Sequence, residues 1–168
     1  TEDRYELIDG ELYLMASPSH RHQVAIREIF GQFYNFFGDK SCSTLTAPFD
    51  VRLKNDSPTF EEDPNVVQPD ILVLCDEENI DEKGKYHGVP TLVVEVLSPS
   101  TRGKDMVKKL NLYMMSGVKE YWAVDLEEEN FFVYELDKKD LQSLSIYKVG
   151  EVIPSKCFEG LLVKTDKI

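Results

Sequence analysis

Long apolar runs and paired cysteines are both missing from this sequence of 168 residues. Because no stretch approaches the roughly 20 apolar residues of a membrane-spanning helix, we expect no membrane segment. The N-terminus lacks a charged-then-apolar signal pattern, which favours a cytoplasmic location. Cys42, Cys75 and Cys157 lie far apart without a C-x-x-C pair, so we predict neither a zinc knuckle nor a disulfide framework. We expect all three to be small buried apolar residues in a reducing compartment.

The sequence also has few basic residues: 19 against 31 acidic residues, which gives a net charge of −12. This balance repels a polyanion at long range and argues against a generic DNA-coating protein, which carries a basic face. A site built of carboxylates that binds cations would reverse the local field, so nucleic-acid chemistry is not excluded. The length and the 42% hydrophobic content predict a single domain over residues 1–168.

The order of predicted elements indicates an α/β (α+β) fold with a central mixed β-sheet, flanking helices and an N-terminal β-hairpin. Asp9-Gly10 between two apolar-containing runs predicts the hairpin. Apolar residues at three- and four-residue intervals predict a helix over 22–37, and a second helix is expected over 102–115. The remaining predictions are strands at 44–53, 69–74, 91–97, 120–124 and 131–136, a surface loop at 55–65, and two short strands within 141–163.

Two acidic residues stand out because they belong to apolar strands. Asp70 begins one predicted strand and Glu95 lies inside the next, so adjacent strands would bring both carboxylates to one edge of the sheet. Buried charges of one sign repel each other unless they share a proton or bind a cation. We therefore predict a divalent-metal site in which the Val96 carbonyl is a third ligand for Mg²⁺. The alternative is that Asp70 caps a turn and Glu95 pairs with a basic residue of the next helix.

The helix after the Glu95 strand supplies a cation. Asp105, Lys109 and Tyr113 recur every four residues and share one face, so Lys109 can reach back to the acids. A positioned ammonium stabilises the charge that develops when a phosphodiester is cleaved, and we assign this role to Lys109. The alternative is an ordinary surface pair between Asp105 and Lys109.

One further residue is a candidate for the same site. His22, at the start of the first helix, is a candidate for binding phosphate or orienting water, because histidine titrates near neutral pH. It would otherwise cap its helix or face solvent.

These residues resemble the PD-(D/E)XK nuclease superfamily, which has the restriction-endonuclease-like fold. Leu97 occupies the place of the usual catalytic lysine, and Lys109 would be its migrated replacement. That arrangement resembles the Uma-type endonuclease family in particular. The stretches that carry the resemblance are YELIDGE at 5–11, Ser17-Pro18 with His22-Gln23, Pro69-Asp70, VEVLSPS at 94–100, Asp105 with Lys109 and Tyr113, and GVKEYW at 117–122.

The resemblance implies a Mg²⁺-dependent endonuclease, with Mn²⁺ as a substitute, that hydrolyses DNA. Asp70, Glu95 and Val96 would bind the metal, and Lys109 would be catalytic. Nucleases of this superfamily often take a further acid from the neighbourhood of the first helix, so Glu6, beside the predicted hairpin turn, would make a water-mediated metal contact. A homodimer is expected, because apolar strand edges occur near the C-terminus. The alternative function is a catalytically inactive nuclease-fold module that binds nucleic acid or a protein partner.

Overall fold

A six-stranded mixed sheet forms the centre of the molecule. The structure is a computed structural model that describes residues 3–53 and 65–168. The strands are β1 (Tyr5–Ile8), β2 (Glu11–Leu14), β3 (Ser43–Thr46), β4 (Val51–Arg52), β5 (Val66–Val67), β6 (Ile71–Leu74), β7 (Leu92–Val96), β8 (Glu120–Asp125), β9 (Asn130–Asp137), β10 (Asp140–Lys148), β11 (Val152–Pro154) and β12 (Leu162–Lys164). The central sheet has the order β10-β9-β8-β7-β6-β3, and only its β7–β8 pair is parallel among the described strands.

The predicted N-terminal hairpin is present as β1 and β2. Asp9 and Gly10 both have positive φ, at 50° and 79°, as expected for a tight hairpin turn at an Asp-Gly pair. The hairpin belongs to a separate four-stranded sheet of order β2-β1-β5-β4. This sheet brings residue 6 next to the helix that follows β7.

Helix α1 (His20–Phe37) covers one face of the central sheet. Its N-cap is Ser19, whose hydroxyl accepts from the His22 N–H, and every fourth residue from Ala25 to Phe37 is buried. The Phe33 ring packs edge-on against Trp122 of β8 at 5.7 Å. The predicted first helix is therefore confirmed, and its first turn lies at the edge of the sheet where Asp70 lies.

The second predicted helix connects the parallel strands β7 and β8. It contains a π-helical turn (Lys104–Lys109) that continues into helix α2 (Leu110–Ser116). Gly117, with φ of 100°, ends the helix in the left-handed conformation that favours glycine. The sequence pattern did not predict the π-helical turn, which often occurs at functional sites.

Two sequence-based predictions need correction, and a third lies almost wholly outside the described residues. The strand predicted over 44–53 is two strands in different sheets, because proline at position 48 cannot continue a ladder of hydrogen bonds. The C-terminal part contains three strands rather than two, because β10 extends to Lys148 and β11 and β12 then form a separate two-stranded sheet. The loop predicted over 55–65 lies outside the described residues except for its last position, Asn65, which is buried.

The prediction for two of the cysteines was also wrong. Cys42 and Cys75 form a disulfide, with Cα atoms 4.2 Å apart, and Cys75 is exposed. The antiparallel register pairs Ser43 with Leu74, so the two cysteines are the next pair across β3 and β6. The two cysteines are 33 positions apart in sequence, and they meet only because β3 and β6 are neighbouring strands. Among the described cysteines only Cys157 is free.

Candidate active site

Asp70 and Glu95 lie side by side at one edge of the central sheet. The antiparallel register of β6 and β7 pairs Ile71 with Val94, so Asp70, just before β6, is opposite Glu95. The Val96 N–H donates to Asp70 Oδ2 at 2.7 Å, which fixes the Asp70 carboxylate against β7. Glu95 is 3% exposed. The strand order therefore brings together the two acids that the sequence singled out.

The Val96 carbonyl lies on the side of β7 that faces Asp70. In a β-strand the N–H and C=O of one residue point to the same side, and the Val96 N–H points to Asp70. Asp70, Glu95 and Val96 also line one cavity. The three predicted ligands thus converge on one edge of the sheet.

Lys109 lies within the acidic cluster and not on the surface. Its Nζ is 2.8 Å from Glu95 Oε1, 2.8 Å from Glu6 Oε1 and 3.6 Å from Asp105 Oδ1. The residue is 2% exposed, and the two strongest partners, Glu95 and Glu6, hold its pKa well above the ordinary value although burial alone would lower it. Lys109 is therefore a charged ammonium, and the simple surface-pair alternative does not describe it.

Glu6 reaches the cluster from the hairpin, where it is 1% exposed. Its Oε1 accepts from Lys109 Nζ and from the Gln68 N–H at 3.0 Å, and its Oε2 accepts from Lys104 Nζ at 2.9 Å. Burial would raise the pKa of Glu6, but the charges of Lys109 and Lys104 outweigh burial and lower it. Both carboxylate oxygens thus accept from this chain's own donors, and the water-mediated metal contact of Glu6 stays a prediction.

His22 approaches Asp70 from the first turn of α1. Its Nε2 is 3.5 Å from Asp70 Oδ2, and its side chain is 14% exposed. Burial lowers the pKa of His22, but the contact with Asp70 outweighs burial and leaves that pKa raised. The Nδ1 atom is buried and has no hydrogen-bond partner among residues 3–53 and 65–168. The imidazole therefore lies beside the acids and does not face solvent.

Three residues of this cluster were not assigned to the site from sequence, although Asp105 and Tyr113 were seen to share a face with Lys109. Tyr113 donates from its hydroxyl to Glu95 Oε1 at 2.5 Å. Asp105 is 3% exposed, and its Oδ1 forms no hydrogen bond within the described part of the chain. Lys104 pairs with Glu6. The four-residue spacing in the sequence indicates that Asp105 and Tyr113 lie on one face with Lys109. No such spacing indicates Lys104, which lies at the start of the π-helical turn.

The cluster carries an excess of negative charge. Burial, more than the neighbouring carboxylates, raises the pKa of Glu95 to about 8, although Lys109 opposes the shift. Burial likewise raises the pKa of Asp105. The carboxylates are those of Glu6, Asp70, Glu95 and Asp105, and the ammonium groups are those of Lys104 and Lys109. The raised pKa values mean that this excess favours the uptake of protons or of a cation.

The acids form one wall of a cavity of about 660 Å³. Arg4 and Arg21 also line it, as do the loops before α1 and after β7. Within the described residues no three side chains of His, Cys, Asp or Glu are grouped as a ready metal site. Two carboxylates, one backbone carbonyl and solvent in an open cavity are nevertheless a donor set that suits Mg²⁺, which retains several waters when bound. The residues present therefore fit a hard divalent cation.

The mixed sheet and its flanking helices form a restriction-endonuclease-like fold. The model of the Uma2 family, described as "Putative restriction endonuclease", matches residues 1–165. The chain therefore belongs to the Uma2 family, which confirms the resemblance found in the sequence.

Two other proteins are similar to this chain, one in fold and one in sequence. A crystal structure from Anabaena variabilis, described as a "putative nuclease belonging to DUF820", has a TM-score of 0.72 at 18% identity, covering 92% of this chain and 82% of that chain. This likeness shows the fold. The uncharacterized protein slr1290 of Synechocystis is 31% identical over 112 residues, which are 66% of this chain and 54% of that protein. The matched region spans about half the length of that relative.

One further finding concerns the membrane prediction. Among the described residues, no helix is both long enough and apolar enough to cross a membrane.

Proposed function

We propose that this chain is a divalent-metal-dependent endonuclease that hydrolyses DNA phosphodiester bonds. The observation that carries the proposal is the convergence of Asp70, Glu95 and Lys109 on one cavity, with the lysine Nζ 2.8 Å from Glu95 Oε1. Paired acids and a buried ammonium are the groups that metal-assisted phosphodiester cleavage needs. Membership of a family described as "Putative restriction endonuclease" supports the nucleic-acid substrate.

Asp70, Glu95 and the Val96 carbonyl would hold Mg²⁺, or Mn²⁺ in its place. When bound, such a cation lowers the pKa of a coordinated water and polarises a phosphoryl oxygen. Its charge would also offset the excess of carboxylates over ammonium groups in the cluster. The Val96 N–H keeps one oxygen of Asp70 fixed, which leaves the other oxygen for the cation.

Lys109 and His22 are the residues proposed to handle the substrate. The Lys109 ammonium stabilises the negative charge that develops on the phosphorus oxygens during attack. His22 lies beside Asp70 and lines the cavity, where its imidazole would hold the attacking water or a phosphate oxygen. Arg4 and Arg21 line the cavity and are suited to contact the DNA backbone.

The direct test is cleavage of labelled single- and double-stranded DNA in the presence of Mg²⁺ or Mn²⁺. We expect Asp70→Asn and Lys109→Met to reduce the cleavage rate by a factor of about 100 or more. The matched controls are Asp39→Asn and Lys108→Met, because both side chains are exposed and lie outside the cavity lining. Cleavage that survives Asp70→Asn or Lys109→Met at the control rate would refute the assignment.

A catalytically inactive nuclease-fold module is the second candidate. It is favoured by one observation, namely that Lys109 is surrounded by three carboxylates while Leu97 stands where the superfamily has its lysine. Calorimetric titration with Mn²⁺ separates the two functions. An inactive module predicts that Glu95→Ala abolishes no binding, whereas the endonuclease predicts a site that Glu95→Ala removes.

A further inference from the structure

Tyr113 is a buried tyrosine whose hydroxyl is directed at a proposed metal ligand. It lies on α2 with 0% of its surface exposed, and its hydroxyl donates to Glu95 Oε1 at 2.5 Å. The ring packs beside that of Tyr121, with centroids 5.1 Å apart. The ring is held by packing, so the hydroxyl is a fixed donor.

The same oxygen of Glu95 accepts a second bond from the same helix. Lys109 Nζ donates to Oε1 at 2.8 Å, and Lys109 and Tyr113 are four residues apart on one face. Two donors on one oxygen fix the plane of the carboxylate. Among the described residues, Oε2 of Glu95 has no recorded hydrogen bond, and Glu95 lines the cavity.

We propose that Tyr113 is a positioning residue for the metal site, and that its hydroxyl holds Oε1 of Glu95 so that Oε2 is presented to the cation. The inference rests on the proposed function, since it concerns the same acid pair. Groups that hydrogen-bond to metal ligands orient those ligands, and their loss commonly weakens metal affinity by about 10- to 100-fold. Burial keeps the pKa of Tyr113 well above its ordinary value, so the hydroxyl remains a donor at neutral pH.

Lys109 cannot supply this orientation alone. Its ammonium is shared between Glu95 and Glu6 at equal distances of 2.8 Å, and a lysine side chain has four rotatable bonds. The tyrosine has a rigid ring and points at Glu95 only. Removing its hydroxyl therefore frees the Glu95 carboxylate to rotate, while the ammonium and the fold are retained.

Calorimetric titration of Tyr113→Phe with Mn²⁺ tests the inference. The matched control is Tyr121→Phe, because Tyr121 is equally buried and its hydroxyl donates at 2.9 Å to the backbone carbonyl of Asp105 instead of to Glu95. We expect the Mn²⁺ dissociation constant to rise about 10-fold or more in Tyr113→Phe. In Tyr121→Phe it should stay within about 2-fold of the wild type. Melting temperatures without metal establish that both variants are folded.

Three results would overturn the inference in different ways. Unchanged Mn²⁺ affinity in Tyr113→Phe would refute the positioning role and leave the proposed function intact. Equal weakening in Tyr113→Phe and Tyr121→Phe would show that the effect is a general loosening of the core. A wild type without any Mn²⁺ site sensitive to Glu95→Gln would refute the proposed function and the inference together.

Discussion

Replacing Lys109 with methionine should destabilise the fold by about 3 kcal/mol. Removing one partner of a buried ion pair costs about 3–5 kcal/mol, because the remaining charge stays buried without compensation. Lys109→Met leaves Glu6, Glu95 and Asp105 with Lys104 as the nearest remaining ammonium, 2.9 Å from Glu6. The lower end of the range applies because Glu95 and Asp105, whose pKa values are already raised, will take up protons.

Urea denaturation measures this cost, with Lys108→Met as the control. Lys108 is the neighbouring lysine, its side chain is 48% exposed, and it pairs with exposed Glu11 at 3.1 Å. Its replacement should leave the free energy of unfolding close to that of the wild type, because exposed ion pairs contribute little to stability. The cost of Lys109→Met should decrease at acidic pH, where the carboxylates are protonated. Equal stabilities of the two variants at pH 8 would refute the reasoning that Lys109 compensates buried charge.

Three other results are expected. Without metal, the free energy of unfolding should fall as pH rises from about 4.5 to about 8. The reason is that the pKa of Glu95 is raised from 4.5 to about 8, so across this range the folded protein keeps a proton on Glu95 that the unfolded protein loses. Denaturation of Glu95→Gln across the same range should lack that slope. Thiol titration of the unfolded, unreduced protein should find only the Cys157 thiol, and three thiols would contradict the Cys42–Cys75 disulfide. Pairing of two copies through β10, where Leu144 is 44% exposed, should give a sedimentation mass twice the chain mass of 19.3 kDa. Leu144→Glu should then give the monomer, and a monomeric wild type would exclude this pairing.

Local patterns were sufficient for most of the fold. The hairpin at Asp9-Gly10 and helix α1 followed from turn chemistry and from the period of apolar residues. The end of the second helix followed from Gly117, which tolerates positive φ. These features depend on residues close in sequence, and the sequence shows them directly.

The acid pair was also visible in the sequence. Asp70 and Glu95 attracted attention because a carboxylate in an apolar strand needs compensation. The four-residue spacing of Asp105, Lys109 and Tyr113 placed them on one face of the next helix. Residue type and periodicity therefore predicted which groups meet, but their roles remain predictions.

The strand order decided the rest. Cys42 and Cys75 pair because β3 and β6 are neighbours, and the bend at 47–50 sends β4 into another sheet. Glu6 reaches Lys109 across 103 positions of sequence, and the π-helical turn brings Lys104 to the same carboxylate. The sequence by itself determined most helices and strands and the acidic residues within them, because a buried face repeats apolar residues at the period of the helix or strand. Only the tertiary structure decided which distant side chains share one charge cluster, because such contacts depend on sheet register and helix rotation that no local pattern records.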